Sequence, residues 1–328
     1  MKKIVSAGPC KTEFMEVEEP RITNPTDVKI RMSYCGVCMS EHYDWSIGKE
    51  GRVFGHEPVG VVTEVGAEVS GIKVGDRVSG LFSGAAEYVI AKQENVFVLP
   101  DNVSDTSGIL EPLACLISAV SKVRNPIVGD RVAVVGCGYM GCGAISLLKM
   151  RGAYVVAVDI NPESVKNALR YGADEAYLAS ELPESAFYIP GSNLNFDGEP
   201  GGFALVMEWG ETNESLDLAI RMTKQCGQLA IGAYHTGEKR LVDMQMLNVK
   251  AIDCLSTHPR EKDMSRAGCI NAIRMLSTGV WSYGHVPTKV YPVSQFDLAQ
   301  SELPTKFGSF LKSVVDFTHG DFEPYIIE

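Results

Sequence analysis

Three glycines in the pattern Gly136-x-Gly138-x-x-Gly141 stand between two apolar segments. Ahead of them is the continuous run Asp130-Arg131-Val132-Ala133-Val134-Val135, and behind them Cys142 to Arg151 has helical spacing. Between a strand and a helix this spacing has chemical meaning. The first glycine permits a tight turn, the second lets a pyrophosphate approach the backbone, and the third lets helix and strand pack closely. The helix N-terminus then offers unpaired N–H groups and the positive end of its dipole. Gly136, Gly138, Tyr139, Met140 and Gly141 are therefore expected to cradle a dinucleotide. Asp159 closes the next apolar run, Tyr154-Val155-Val156-Ala157-Val158, and Ile160 follows it. A carboxylate there accepts hydrogen bonds from both ribose hydroxyls and repels a 2′-phosphate, so NAD is expected rather than NADP. The plainer reading is a glycine-rich turn in a cofactor-free α/β domain.

A second set of chemistry-bearing residues lies nearer the N-terminus, in Gly36-Val37-Cys38-Met39-Ser40-Glu41 and Gly55-His56-Glu57-x-x-Gly60. A thiolate and an imidazole are suitable zinc ligands. Taken singly, each residue has a bland alternative: a buried thiol for Cys38, a hydrogen-bonded histidine for His56, a turn anchor for Glu57, a helix N-cap for Ser40. Cys35 and Cys38 also form a C-x-x-C, but no thioredoxin-like strand and helix surround it. The nine cysteines are scattered and odd in number, so structural disulfides are not expected.

The elements that must position these residues differ between the two ends of the chain. The first hundred residues are β-rich. Val28 to Met32 alternates, Val59 to Val65 is a β-branched run holding Gly60, and Glu87 to Ile90 and Val96 to Leu99 are further short strands between glycine and proline breaks. This pattern suits a small, partly open barrel. After Pro100 the period changes. Thr106 to Val123 contains an apolar helical stretch, Pro162 to Tyr171 reads as helical, and Ala204 to Glu208 and Gln228 to Gly232 read as buried strands. Strands alternating with helices imply right-handed βαβ units and a parallel sheet. Tyr188 to Gly202, rich in Gly, Pro and Asn, reads as a surface loop.

With 328 residues and 45% hydrophobic content the chain can bury a large core, and two domains are expected. It carries 41 Asp and Glu against 30 Lys and Arg, a formal net charge of -11, which repels phosphate backbones and anionic lipid. Neither nucleic acid nor membrane is expected as a partner. Met1-Lys2-Lys3-Ile4-Val5 has no long apolar run behind it, and no segment approaches the roughly 20 apolar residues of a membrane helix. A cytoplasmic location is expected.

Together these motifs resemble the zinc-containing medium-chain dehydrogenases, the superfamily of alcohol, sorbitol and threonine dehydrogenases. The resemblance runs nearly end to end. It includes the Gly-His-Glu signature at Gly55–Glu57, Gly75-Asp76-Arg77-Val78, Ala86-Glu87-Tyr88-Val89, Leu99-Pro100, Glu111-Pro112-Leu113-Ala114-Cys115, the glycine motif and Lys312-Ser313-Val314-Val315. It implies a GroES-like catalytic domain from residues 1–118 and 257–328, with a Rossmann domain of six parallel strands from 119–256. It also implies a zinc ion bound by Cys38 and His56. The third ligand stays open among Glu111, Cys115 and Glu57; Cys38, His56 and Glu111 is the set expected here, with Glu57 beside the reacting centre. Ser40 matches the family's proton-relay hydroxyl. Glu41 matches an Asp that steadies the zinc histidine, with a longer side chain than that role usually uses. His42 falls one position early for the relay histidine, and no catalytic role is assigned to it.

Two departures stand out. The four closely spaced cysteines of the family's structural zinc lobe are absent, because Ser79-Gly80-Leu81-Phe82-Ser83-Gly84 runs straight into Ala85-Ala86-Glu87-Tyr88, so a single catalytic zinc per chain is expected. Trp209-Gly210 stands where relatives carry smaller residues. The resemblance implies hydride transfer between NAD and an alcohol or ketone, in a dimer or tetramer. The Glu111-Pro112-Leu113 segment favours a secondary alcohol of polyol, cyclitol or sugar type. A simple aliphatic alcohol or threonine dehydrogenase is the alternative enzyme, and a non-catalytic NAD-binding regulatory protein the alternative of another class.

Overall fold

The computed structural model describes residues 1–126, 128–188, 201–306 and 308–328. The loop expected from Tyr188 to Gly202 therefore lies mostly outside the described residues. The chain divides into two compact units, Met1–Cys115 with Arg260–Glu328, and Leu116–Pro259.

The first unit begins with the hairpin β1 (Lys2–Gly8) and β2 (Lys11–Glu16), followed by β3 (Asp27–Val37), helix α1 (Met39–Ser46), β4 (Glu57–Val65), β5 (Arg77–Gly80), β6 (Tyr88–Lys92) and β7 (Val96–Val98). Helix α2 (Leu110–Lys122) leads out of it. This helix lies within the apolar stretch Thr106 to Val123. Gly108 is folded back onto the Ser104 carbonyl at 2.8 Å, and the Ser79 hydroxyl takes the Leu110 N–H at 3.0 Å.

Strand β3 organises the unit. It pairs antiparallel with β4 along its whole length and with β6 at its first half, and residues near its end pair with a strand from the C-terminal part of the chain. Its alternate residues Val28, Ile30 and Met32 pack with Val62, Val78, Ala91 and Val96. A strand with neighbours on both edges and apolar residues on its inner face is held in a fixed register, since a slip of one residue would turn every side chain over.

The second unit contains β8 (Arg131–Val135), α3 (Tyr139–Met150), β9 (Tyr154–Asp159), α4 (Pro162–Arg170), β10 (Glu175–Leu178), β11 (Phe203–Glu208), α5 (Asn213–Met222), β12 (Thr223–Ile231), α6 (Met244–Val249) and β13 (Asp253–Ser256). Among the described residues its six strands pair in the order β10-β9-β8-β11-β12-β13, all parallel. The two central strands β8 and β9 carry unbroken apolar runs, Val132–Val135 and Val155–Val158, as strands covered on both faces do. Val135, Val156, Val158, Val206 and Leu229 share one cluster with Leu216, Ile220 and Met222 of α5. The helix starts are marked chemically. The Asn161 side chain caps α4 with Pro162 at its first position, and Thr212 and Ser215 form a capping box on α5. This is the expected doubly wound fold, and the strand order reverses between β8 and β11.

The chain then returns to the first unit with α7 (Lys262–Ser277), β14 (Thr288–Pro292), α8 (Phe296–Glu302), β15 (Lys312–Asp316) and β16 (Tyr325–Ile327). Strand β15 is the C-terminal neighbour of β3. No helix among the described residues is long and apolar enough to cross a membrane.

Candidate functional site

Cys38 directly follows the long strand β3 and is the N-cap of α1, but its side chain makes no capping bond. Glu57 opens β4 with His56 just ahead of it, and the register places Glu57 opposite Gly36. These two strand ends bring together the Cys38 sulfur, a His56 ring nitrogen and a Glu57 carboxylate oxygen, all within 4.8 Å of one another. The close approach depends on Gly36. A Cβ there would lie 1.8 Å from Glu57 Oε2, so the carboxylate occupies the space that any larger residue would fill.

The surroundings fix each of the three. His56 Nδ1 is 3.1 Å from Glu41 Oε1, an oxygen that also accepts from the Gly55 N–H at 2.9 Å and from Arg52 at 3.3 Å. A histidine tied through Nδ1 presents Nε2, the arrangement found around metal-bound histidines. Glu41 reaches the ring from the first turn of α1, and its greater length is used to span back to the β4 entry. Glu57 is ion-paired with Lys312, the first residue of β15, and both side chains are buried. β15 lies on the other side of β3, with Val314 opposite Gly36, which is what brings the lysine there.

The electrostatics fit a bound cation. Burial opposes a positive charge on His56, but hydrogen bonding and charge from Cys38 and Glu41 outweigh it and raise its pKa far above the usual range, so the surroundings favour positive charge at the ring, which a metal cation would supply in the proton's place. Burial likewise opposes the Glu57 charge, and Lys312 and His56 outweigh it, holding the carboxyl below the usual carboxylate range. Glu41 Oε2 is buried with no hydrogen-bond partner. A thiol, an imidazole and a carboxylate converging in such a place form a borderline-soft donor set that suits zinc.

The other sequence candidates fall nearby or elsewhere. Glu111 does not join the three-residue group. It accepts a hydrogen bond from the Cys115 thiol at 3.3 Å, as their four-residue spacing on α2 allows. Burial pushes the Glu111 carboxyl up, and burial and Glu111 together push the Cys115 thiol well up, so the sulfur is a donor here. Ser40 is not an N-cap; its hydroxyl donates to the Cys38 sulfur at 3.3 Å. His42 is engaged with the Gln300 carbonyl at 3.1 Å and lies against Trp45, which is a packing role. Cys35 is buried, and burial with Glu41 close by pushes its thiol up to about 12, so it lacks the thiolate a redox pair needs. Lys312 opens the Lys312-Ser313-Val314-Val315 run, and sequence reasoning missed its pairing with Glu57. Its only sequence signal is a lysine opening an otherwise buried strand.

In the second unit the glycine turn has the expected anatomy. Gly136 takes the left-handed φ of 91° after β8. Gly141 lies so close under it that a Cβ would be 1.8 Å from the Gly136 carbonyl oxygen. Gly138 is the N-cap of α3, with no side chain capping the helix and open space where a Cβ would project. Tyr139 and Met140 form the first turn of that helix. Asp159 accepts from the Cys137 N–H at 2.7 Å and the Asn161 N–H at 2.9 Å, which ties the carboxylate to the turn, and Ile160 beside it is 84% exposed. A cradle of bare N–H groups with an acid at the end of the next strand fits a dinucleotide.

Residues 24–101 match the family described as Alcohol dehydrogenase GroES-like domain, and residues 140–268 the family described as Zinc-binding dehydrogenase. An (R,R)-butanediol dehydrogenase of Bacillus subtilis (strain 168) is 34% identical over 205 residues, 48% of this chain and 57% of that relative, so the chain spans little more than half its length. An alcohol dehydrogenase of Geobacillus stearothermophilus is 34% identical over 258 residues, 67% of this chain and 73% of the relative. Among solved structures, the alcohol dehydrogenase TADH from Thermus sp. ATN1 superposes with a TM-score of 0.77 at 21% identity, covering 96% of this chain and 99% of its own, which is a likeness of fold. With both halves of the chain matched by sequence and the same topology throughout, the protein belongs to the zinc-containing medium-chain alcohol dehydrogenase family.

Proposed function

We propose that the chain is a zinc-dependent, NAD-linked dehydrogenase that interconverts a secondary alcohol and its ketone, and that the alcohol belongs to a polyol, cyclitol or sugar. The observation that carries the reading is the convergence of Cys38, His56 and Glu57 within 4.8 Å. Cys38 and His56 are the ligands in this reading, and the geometry supports Glu57 over Glu111 and Cys115 as the third. A zinc ion held there supplies the Lewis acidity that favours loss of the alcohol proton. NAD, held by the glycine turn and Asp159, would supply the hydride acceptor.

The remaining work falls to the chain itself. Glu41 orients His56, and Lys312 holds Glu57 in its buried place. Ser40 Oγ, two residues from the thiolate ligand, is the group that takes up and passes on the substrate proton. Glu111, whose carboxyl burial keeps protonated to higher pH, stands ready to bond a hydroxyl neighbouring the reacting one. A site that hydrogen-bonds such a hydroxyl rejects analogues lacking it far more strongly than one more methylene would. Gly136, Gly138 and Gly141 with the first turn of α3 hold the pyrophosphate. Asp159 selects the unphosphorylated ribose, flanked by Ile160. The match to a relative named for a diol supports the polyol reading. The longer match to a relative named alcohol dehydrogenase supports the second one, a simple aliphatic alcohol.

The test is turnover efficiency on a panel of polyols, cyclitols, propan-2-ol, ethanol and threonine, with NAD and NADP, alongside metal analysis. Preference for a polyol with NAD and a single zinc per chain is expected. Clear preference for any of the last three substrates overturns the substrate class, and equal use of NADP overturns the role of Asp159. A chain that binds no zinc overturns the mechanism.

A further inference from the structure

The C-terminal edge of the second unit's sheet contains a hydrogen-bonded network that neither the metal group nor the glycine turn uses. Glu208 ends β11 and is fully buried. Its Oε1 accepts from the Gly210 N–H at 2.8 Å, the Glu211 N–H at 3.0 Å and the Ser215 hydroxyl at 2.7 Å. Its Oε2 meets His235 Nε2 at 2.9 Å. On the far side of the ring, Arg240 Nε donates to His235 Nδ1 at 3.2 Å. A guanidinium only donates, so Nδ1 is the acceptor and Nε2–H the donor to Glu208. Arg240 also donates to the carbonyls of Glu211, Thr236 and Glu238, and the Glu211 carboxylate takes the Thr236 N–H and hydroxyl. Glu211 and His235 both sit at left-handed φ, 61° and 50°, conformations that cost energy outside glycine and persist only where the surroundings impose them.

What this network holds in place is a pair of loops at the point where the strand order reverses. The Trp209 N–H donates to the Val135 carbonyl at 2.7 Å, just before the glycine turn, and a Cβ on Gly136 would come within 2.8 Å of the Gly210 nitrogen. The Gly232 and Ala233 N–H groups donate to the Glu208 carbonyl, and the Trp209 ring lies so close over Gly232 that a Cβ there would be 2.6 Å from it. The ends of β8, β11 and β12 are thereby locked into one block. A dinucleotide at a doubly wound sheet crosses the switch point, with one nucleoside over each half. Asp159 marks the β9 side for the adenosine, so the block built on Trp209 and Gly232 lies on the side left for the nicotinamide nucleoside.

We propose that His235, bridging Glu208 and Arg240, is the positioning residue that sets Trp209 and the Gly232–Tyr234 loop as the platform for the nicotinamide half of the cofactor. This rests on the reading that the chain binds NAD, and it adds a residue to which no role had been given. The ring touches no part of the cofactor in this account; it acts through the loops.

The test compares two ligands on the full chain by calorimetry: NADH, which needs both halves, and AMP, which needs only the adenosine half. His235→Phe should raise the Kd for NADH about tenfold, the weight of one or two lost hydrogen bonds, and leave the Kd for AMP unchanged. His235→Gln keeps one donor and one acceptor and should recover most of the loss. If His235→Phe does not fold, Arg240→Met breaks the same bridge from its other end and should shift NADH alone, by about threefold. Unchanged NADH affinity in these variants, or equal weakening of NADH and AMP, overturns the proposal. A native chain that binds no NADH overturns the cofactor reading itself, a separate outcome.

Discussion

The metal group and the glycine turn reach their geometry by opposite means. Around Cys38 and His56 the proposed chemistry lies in charged side chains, and two of them are steadied by another charge: His56 by Glu41, Glu57 by Lys312. At Gly136 to Gly141 the proposed cradle is bare backbone, and what matters is the absence of side chains. Even the buried lysines differ. Lys312 faces carboxylates, and although burial disfavours its charge, Glu57 and Cys38 outweigh this and raise its pKa. Lys250 in the second unit meets the Ile220 and Arg221 carbonyls at the end of α5, and burial lowers its pKa to about 8. The charged groups around Cys38 and His56 are thus sensitive to the loss of side-chain atoms, and the glycine turn to their addition.

The sharpest way to break this contrast is at Cys38. Cys38→Ser should remove most bound zinc and lower turnover by about a thousandfold or more, with NADH affinity unchanged. Normal zinc content in that variant would end the comparison. Lys312→Met comes next. It strands a buried carboxylate, a loss of about 3–5 kcal/mol in chemical denaturation. Adding Glu57→Gln should recover much of that stability but not the metal. A Lys312→Met chain as stable as the native one would show that the pair is not what steadies Glu57.

In the second unit the change to make is an addition. Gly141→Val forces apart the helix and the turn, and should weaken NADH binding by about tenfold or more while zinc content stays at the native level. Loss of zinc in that variant would mean that the two regions are not separable. The smallest effect concerns Lys250. Its folded pKa lies below the unfolded value near 10.5, so the folded chain gives up the proton first. Stability should therefore be lowest below about pH 8 and rise between pH 8 and 10.5, by up to a few kcal/mol. Lys250→Met should flatten that rise, measured as the difference from the native chain in urea midpoints across this range. An identical slope would mean that this lysine is not held as a desolvated cation.

The two regions were also unequally legible. The glycine turn could be read directly because its signal is local: a strand, three glycines, a helix and an acid at the next strand end lie in one stretch of chain. The four central strands of the second unit were readable as apolar runs. Strands β10 and β13 gave no comparable pattern, because edge strands are covered on fewer sides and Glu175–Leu178 and Asp253–Ser256 carry polar residues. The metal group was visible only through a family signature, since its parts come from the ends of β3 and β4, and the residue that pairs with Glu57 is some 250 positions away in sequence. No period or spacing signals a partner of that kind. In the sequence the third ligand stays open among Glu111, Cys115 and Glu57 for the same reason: only three-dimensional register brings the Glu57 carboxylate to Cys38 and His56.

Gly36 has a consequence for anyone who mutates this protein. It carries no chemistry, and in an inventory of functional groups it would be passed over. Yet its α-carbon fills the wall against which the Glu57 carboxylate rests, and alanine alone would claim the place of an oxygen. In a library scanned codon by codon, position 36 should tolerate as little as position 38, and a search for new substrate range should leave it fixed and spend its diversity elsewhere.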